Sequence, residues 1–213
     1  MTEEFYNERI MMIDRQIKNR GINDKQVLEA FKSVPRHEFI PLEYRDLAYA
    51  DRPLPIGNNQ TISQPYIIAA MLARLDLNSD SNVLEVGSGC GYVLAILSQI
   101  VAQVYGIERQ SSLVERSRST ISRLGYNNVE IKYGDGKLGW AEKSPFDAIL
   151  VSAATSEVPD ELLNQLRLDG RIILPIGNNF LQKLLLYHKK AVDEFEMEKL
   201  EPVRFVPLVD GKS

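Results

Sequence analysis

The sequence predicts an α/β fold: a doubly wound, mostly parallel sheet with an N-terminal helical cap and a C-terminal edge hairpin. Three observations predict it. From residue 82 onward, short apolar runs of strand length alternate with longer amphipathic runs of helix length, and that alternation builds a parallel sheet covered by helices on both faces. A turn of three glycines, Gly87-Ser88-Gly89-Cys90-Gly91, directly follows the first of those strands and opens a helix. The front of the chain, to about residue 78, lacks the alternation and reads as a cap over one end of the sheet.

Taken in order, Ile10, Ile13 and Ile17 recur at i, i+3 and i+7 and mark a first helix, which Gly21 ends. Asn23, with Gln26 three residues on, predicts a capping box for a second helix whose buried side holds Val27, Leu28 and Phe31. Pro35 and Pro41 bracket a turn-rich connector. Strands are expected at 83–86, 104–107, 129–133, 146–151 and 171–176, with helices at 92–101, 113–124 and 161–166 between them. The segments 182–188 and 195–200 read as the closing hairpin, joined by a solvated acidic turn. The whole chain, 1–213, is expected to be one domain, with 1–78 as cap and active-site segment and 79–213 as the α/β core and final strands.

Composition narrows the function. The 213 residues carry 25 Lys and Arg against 29 Asp and Glu, a formal charge of −4, which disfavours a nucleic-acid partner because phosphate binding relies on clustered cations. A lone cysteine, Cys90, rules out an internal disulfide and suits a reducing compartment. Residues 1–20 are charged throughout and no apolar run reaches about 18 residues, so neither a signal peptide nor a membrane span is expected. The two histidines, His37 and His188, have no partner spacing for a metal or a triad.

The glycine turn lets backbone approach a ligand at a helix start. Glu108 ends the second strand 17 residues beyond Gly91 (108 − 91), near the offset at which an acidic residue accepts hydrogen bonds from ribose hydroxyls. Gly-x-Gly-x-Gly differs from the Gly-x-Gly-x-x-Gly of dinucleotide sites. In the form Leu84-Glu85-Val86-Gly87-Ser88-Gly89-Cys90-Gly91-Tyr92 it resembles the first motif of class I S-adenosylmethionine-dependent methyltransferases. Gly134-Asp135-Gly136, Phe146-Asp147-Ala148-Ile149-Leu150-Val151 and Leu168-Asp169-Gly170-Arg171 resemble later motifs of the same superfamily.

Leu54-Pro55-Ile56-Gly57-Asn58-Asn59-Gln60-Thr61-Ile62-Ser63-Gln64-Pro65-Tyr66 resembles the signature of the protein-L-isoaspartate O-methyltransferase family of bacterial type, as do Val34-Pro35-Arg36-His37-Glu38-Phe39 and Val203-Arg204-Phe205-Val206-Pro207-Leu208. The resemblance implies a Rossmann-like fold and S-adenosylmethionine as cofactor. It implies damaged polypeptides with L-isoaspartyl or D-aspartyl residues as partners, and a cytoplasmic enzyme, expected to be a monomer, with no metal, nucleic acid or membrane involved. It implies a cofactor set of Gln60, Thr61, Ile62, Ser63, Glu85, Gly87, Ser88, Gly89, Gly91, Glu108, Arg109, Gly134, Asp135 and Gly136, with Asp135 at the adenine amino group. It makes Ser63 the catalytic residue and Val206 and Leu208 part of the substrate grip.

The chain departs from the family pattern at Asn59, where glycine is common, at Ser88 and Cys90, which replace Thr and Ser, and at Tyr66, where some members have His. Asn tolerates positive φ better than most residues. Methyl transfer to a carboxylate needs no strong base, since a carboxyl pKa is about 4; alignment alone can supply about 7–11 kcal/mol. Ser63 could hold one carboxylate oxygen, or cap the helix expected to start near Pro65; both roles can coexist. A small-molecule methyltransferase, a non-catalytic adaptor and a nicotinamide oxidoreductase are the competing readings. The Gln60-to-Pro65 motif, the intact Ser63, Glu108 and Asp135, and the glycine spacing weigh against them in turn.

Overall fold

Helix α1 (Glu3–Met12) runs on into a π-turn at Ile13–Ile17 and a 3-10 turn at Lys18–Arg20, and Gly21 ends it with φ 94°. The computed structural model describes residues 3–178 and 180–211. Ile13 and Ile17 are buried as the stripe predicts, and Met12 joins them. Helix α2 (Lys25–Ser33) is capped by Asp24, whose Oδ1 accepts from the Val27 amide at 3.0 Å. The expected cap, Asn23, instead donates back to the Gly21 carbonyl, so the Asn23–Gln26 capping box does not form. The helix starts at Lys25, which puts Asp24 and not Asn23 at the N-cap position.

The cap region also holds a hairpin that the sequence reading does not anticipate. Strands β1 (Leu54–Gly57) and β2 (Gln60–Ile62) pair antiparallel around Asn58 and Asn59, at φ 52° and 55°. Two successive positive φ values make the two-residue turn that matches strand twist, and Asn is among the few residues that accept them. Helix α3 (Pro65–Leu72) follows, with Pro65 at its first turn and Gln64 as its N-cap. Ser63 therefore does not cap it.

The rest is the expected alternation: β3 (Asn82–Val86), α4 (Tyr92–Leu97), β4 (Gln103–Glu108), α5 (Ser111–Arg123), β5 (Val129–Tyr133), β6 (Phe146–Val151), α6 (Asp160–Asn164), β7 (Leu166–Gly177), β8 (Gln182–Ala191) and β9 (Glu194–Val203). Helix α4 ends at Leu97, short of the expected residue 101, and beyond it the Asn128 side-chain amide donates to the Ser98 and Val101 carbonyls at 3.1 and 3.0 Å. β7 starts earlier than expected, with Leu166 paired to Phe146 across a register shift.

The seven strands lie in the order β5-β4-β3-β6-β7-β8-β9. The first five are parallel, and β8 and β9 form the antiparallel edge. One apolar cluster joins the N-terminal helices, α3, α4 and α5 to one sheet face. A second, around Phe146, Leu162 and Leu174, covers the other face. Chain order reverses beside β3. In a doubly wound sheet, that reversal opens a crevice at the carboxyl ends of the strands.

Candidate active site

The glycine turn sits at that crevice. The amides of Gly87 and Ser88 both donate to the Ile107 carbonyl, at 2.8 and 3.1 Å, which folds the end of β3 against β4. Gly87, Gly89 and Gly91 all have positive φ, at 78°, 53° and 85°, so any side chain there would be strained. A Cβ on Gly89 would also come within 3.1 Å of Ile56 from the β1–β2 hairpin. Gly91 faces the other way: its Cβ would meet Ser117 of α5 at 3.3 Å. It serves close helix packing, and it does not line the cleft.

Glu108 at the end of β4 is buried, and its two oxygens accept from the amides of Gly89 and Gln110, each at 2.9 Å. The carboxylate fixes the glycine turn and still has lone pairs for further donors. Glu85, on β3, is 1% exposed. Its Oε1 accepts from the Ser152 hydroxyl at 2.8 Å, while its Oε2 has no partner. Burial pushes this carboxyl up to about 8, against the pull of the Ser152 hydrogen bond, and the nearby Glu108 charge adds to the rise. The Ser88 hydroxyl is likewise buried and unpartnered.

These groups surround one cleft that opens to solvent. One wall is β2 and its exit, Gln60, Thr61, Ile62 and Ser63. The floor is Glu85, Gly87, Ser88 and Gly89, and Glu108 and Arg109 close one end. Gly136 touches the cleft too; a Cβ there would lie 2.5 Å from Val86. The C-terminal segment forms a roof with Val206 and Leu208, pinned where the Leu208 amide donates to the Ala154 carbonyl at 2.7 Å and the Ala154 amide to the Val206 carbonyl at 2.8 Å.

Three expected cofactor residues stay outside the lining. Gly91 packs against α5. Gly134 lies in the backbone ladder, its amide on the Glu108 carbonyl. Asp135 accepts from the Lys137 amide at 3.0 Å and the Gly211 amide at 2.6 Å, so its carboxylate holds a turn and the chain's C-terminal segment. Sequence reasoning missed Ile56, Tyr92, Ser152 and Pro207 of the lining. Ser152 follows β6 directly beside β3, so the strand order would have found it; Ile56 depended on the unanticipated hairpin. His37 is buried, bonded to the Tyr49 hydroxyl at 2.7 Å and stacked on Phe5. Among the described residues no cluster of His, Cys, Asp and Glu could hold a metal, and no helix is long and apolar enough to cross a membrane.

The donor set suits S-adenosylmethionine. The cleft offers a buried carboxyl with a free oxygen and an unpartnered hydroxyl for polar ends, a strand-end carboxylate for ribose, and Ile62 and Val206 for apolar surface.

Comparison with known proteins agrees. Residues 7–213 match the family model described as protein-L-isoaspartate(D-aspartate) O-methyltransferase. Protein-L-isoaspartate O-methyltransferase 2 of Pelobacter propionicus is 49% identical over 96% of this chain and 91% of its own length. The protein-L-isoaspartate O-methyltransferase of Syntrophus aciditrophicus is 45% identical over 98% and 97%. A solved protein-L-isoaspartate O-methyltransferase superposes with a TM-score of 0.84 at 31% identity, covering 93% of this chain and 65% of that longer one. A Plasmodium falciparum structure described as a beta-aspartate methyltransferase, in complex with S-adenosyl-L-homocysteine, gives 0.82 at 30% identity, covering 93% and 97%. The chain belongs to the protein-L-isoaspartate (D-aspartate) O-methyltransferase family, S-adenosylmethionine-dependent enzymes built on a Rossmann-like sheet.

Proposed function

We propose that this protein methylates the free α-carboxylate of L-isoaspartyl and D-aspartyl residues in damaged proteins, with Ser63 as the group that holds that carboxylate. The observation that carries the reading is convergence: Ser63, the glycine turn and the Val206–Leu208 roof line one cleft, although they lie far apart in sequence. When bound, S-adenosylmethionine supplies an electrophilic methyl group on a sulfonium.

The residues here have little proton chemistry to do, because the attacking carboxylate is already ionised at neutral pH. Their work is desolvation and aim. Ser63 leaves β2 half-buried, and its hydroxyl is free to donate to one carboxylate oxygen, leaving the other to attack. Gly87, Ser88, Gly89, Glu85 and Glu108 form the cofactor half of the cleft. Gln60, Thr61, Ile62, Arg109 and Gly136 complete the lining around it. Val206 and Leu208 come from an extended segment whose open backbone edge suits a substrate peptide lying alongside. The methyl ester then collapses to a succinimide, and its hydrolysis returns part of the product to the normal linkage. Residues 1–78 act as cap and active-site segment and 79–213 as the cofactor core, in one domain. We place the enzyme in the cytoplasm, as a monomer without a nucleic-acid partner, which its net charge of −4 supports.

The test is methyl transfer to a matched peptide pair carrying L-isoaspartate or L-aspartate at the same position. Only the isoaspartyl peptide should be labelled. Ser63→Ala should lose roughly 10–100-fold in kcat, the scale of one hydrogen bond to a charged group, with cofactor affinity nearly unchanged. Equal labelling of both peptides, or a fully active Ser63→Ala, would overturn the assignment.

A further inference from the structure

Among the described residues the largest fully buried side chain is a charged one, Arg36, at 0% exposure. Its Nε donates to the Ala48 carbonyl at 2.8 Å and its Nη2 to the Ser63 carbonyl at 2.9 Å. Its Nη1 has no hydrogen-bond partner. The guanidinium carbon lies 5.0 Å from the Tyr92 ring centroid, and Tyr92, Cys90 and Tyr49 act on its charge. Burial pushes the Cys90 thiol up to about 11 and the Tyr92 hydroxyl above the ordinary tyrosine range, so both are neutral at neutral pH. Arginine keeps its proton under such conditions. Among the described residues the guanidinium is thus held by two carbonyls and an aromatic face, with no carboxylate bonded to it, and burying a cation is expensive unless it is paired. An apolar residue would fill the same volume at lower cost.

We infer that Arg36 is a positioning residue for methyl transfer: it fixes the backbone of Ser63 and presents an uncompensated buried positive charge whose partner is the substrate carboxylate. The guanidinium contacts the Ser63 carbonyl directly, so covalent geometry keeps it within roughly 8 Å of the Ser63 hydroxyl. A carboxylate entering the cleft sheds water as it reaches Ser63, and a buried cation at that range offsets the loss more strongly than a solvated surface charge can. A neutral substrate group gains nothing from it. Arg36 thereby selects for the free α-carboxylate that an isoaspartyl linkage exposes. The inference rests on Ser63 being the carboxylate-holding residue.

The experiment compares two peptides as ligands of the S-adenosylhomocysteine complex, identical except that one bears the isoaspartyl α-carboxylate and the other its α-carboxamide. The wild type should favour the carboxylate at least about tenfold, and the ratio should persist in 0.5 M salt because a buried charge is poorly screened. Arg36→Met should bring the ratio near one, Arg36→Lys should keep most of it, and both should bind S-adenosylhomocysteine within about threefold of wild type. Equal weakening of both peptides in Arg36→Met would reduce Arg36 to a scaffold residue and overturn the proposal. A wild-type ratio that collapses in salt would transfer the role to surface cations, and this measurement stands even where Arg36→Met does not fold. A wild type that never methylates the isoaspartyl peptide would instead overturn the functional reading itself.

Discussion

We expect Glu85 to tie cofactor affinity to pH. Its carboxyl is buried beneath the cleft with one oxygen unpartnered, and burial raises it from an ordinary 4.5 to about 8. If that oxygen receives the ammonium of the cofactor's amino-acid end, binding requires the ionised form. More than a unit below the raised value, the ionised fraction falls tenfold for each pH unit. Affinity for S-adenosylhomocysteine should therefore weaken about 30-fold from pH 7 to pH 5.5, which is about 2 kcal/mol at 1.36 kcal/mol per unit. Titration calorimetry in buffers of different ionisation enthalpy should show close to one proton released per ligand at pH 6.5, and Glu85→Gln should abolish both the slope and the release. The ligand-free protein supplies an independent check. Its native state holds this proton between pH 4.5 and about 8 while the unfolded chain does not, so the stability it contributes is complete below about 4.5 and lost as pH rises through 8. Glu85→Gln should melt close to wild type at pH 5 and above it at pH 8. A wild-type affinity that is flat from pH 5.5 to 7, with no proton release, refutes the placement of the ammonium at Glu85.

Gly91→Ala puts a side chain at φ 85° and within 3.3 Å of Ser117; left-handed strain of about 1–2 kcal/mol plus overlap should lower the melting temperature by roughly 3–8 °C, and an unchanged melt would show that α4 and α5 separate freely. Cys90, with its thiol pushed up to about 11 and 5% exposed, should react with iodoacetamide at pH 8 at least about 100-fold more slowly than free cysteine, as mass spectrometry would follow. Asp135→Ala removes the acceptor of the Lys137 and Gly211 amides; thermal melts should show a loss of about 0.5–2 kcal/mol, and carboxypeptidase should trim the C-terminus faster. Wild-type stability and trimming would mean that the tail is held elsewhere.

Much of the sheet was legible because its strands are buried on both faces. Leu84, Val86, Ile149, Val151, Ile172 and Leu174 on one face alternate with Val83, Ala148, Leu150 and Ile173 on the other, which leaves a continuous apolar signal, and the helices between them carry the longer period. The β1–β2 hairpin was less legible because its strands are short and one face of each is exposed. Its only local mark is the Asn58-Asn59 pair, and a pair of asparagines is a common surface feature. Tyr66, a departure from the family pattern, finds its account only in three dimensions: the Arg20 guanidinium stacks on its ring at 3.4 Å.

The site shows a sharper limit. A motif fixes which residues stand at a strand end, but a side chain's partners come from elements distant in sequence. Glu108 ends strand β4, Asp135 lies in the turn after β5, and both read as cofactor acids. Glu108 faces the cleft because the Gly89 amide, folded back from β3, draws it inward. Asp135 is drawn to Gly211, 76 residues away, and no local spacing encodes that pull. Arg36 is the extreme case: in sequence it is a cation in a proline-bounded connector, the kind of residue that normally faces solvent. It is buried because two carbonyls, of Ala48 and Ser63, converge on it from segments that themselves have no regular pattern. Locally patterned residues thus specify the scaffold, and the long-range polar contacts that set the chemistry become readable only once that scaffold has brought them together.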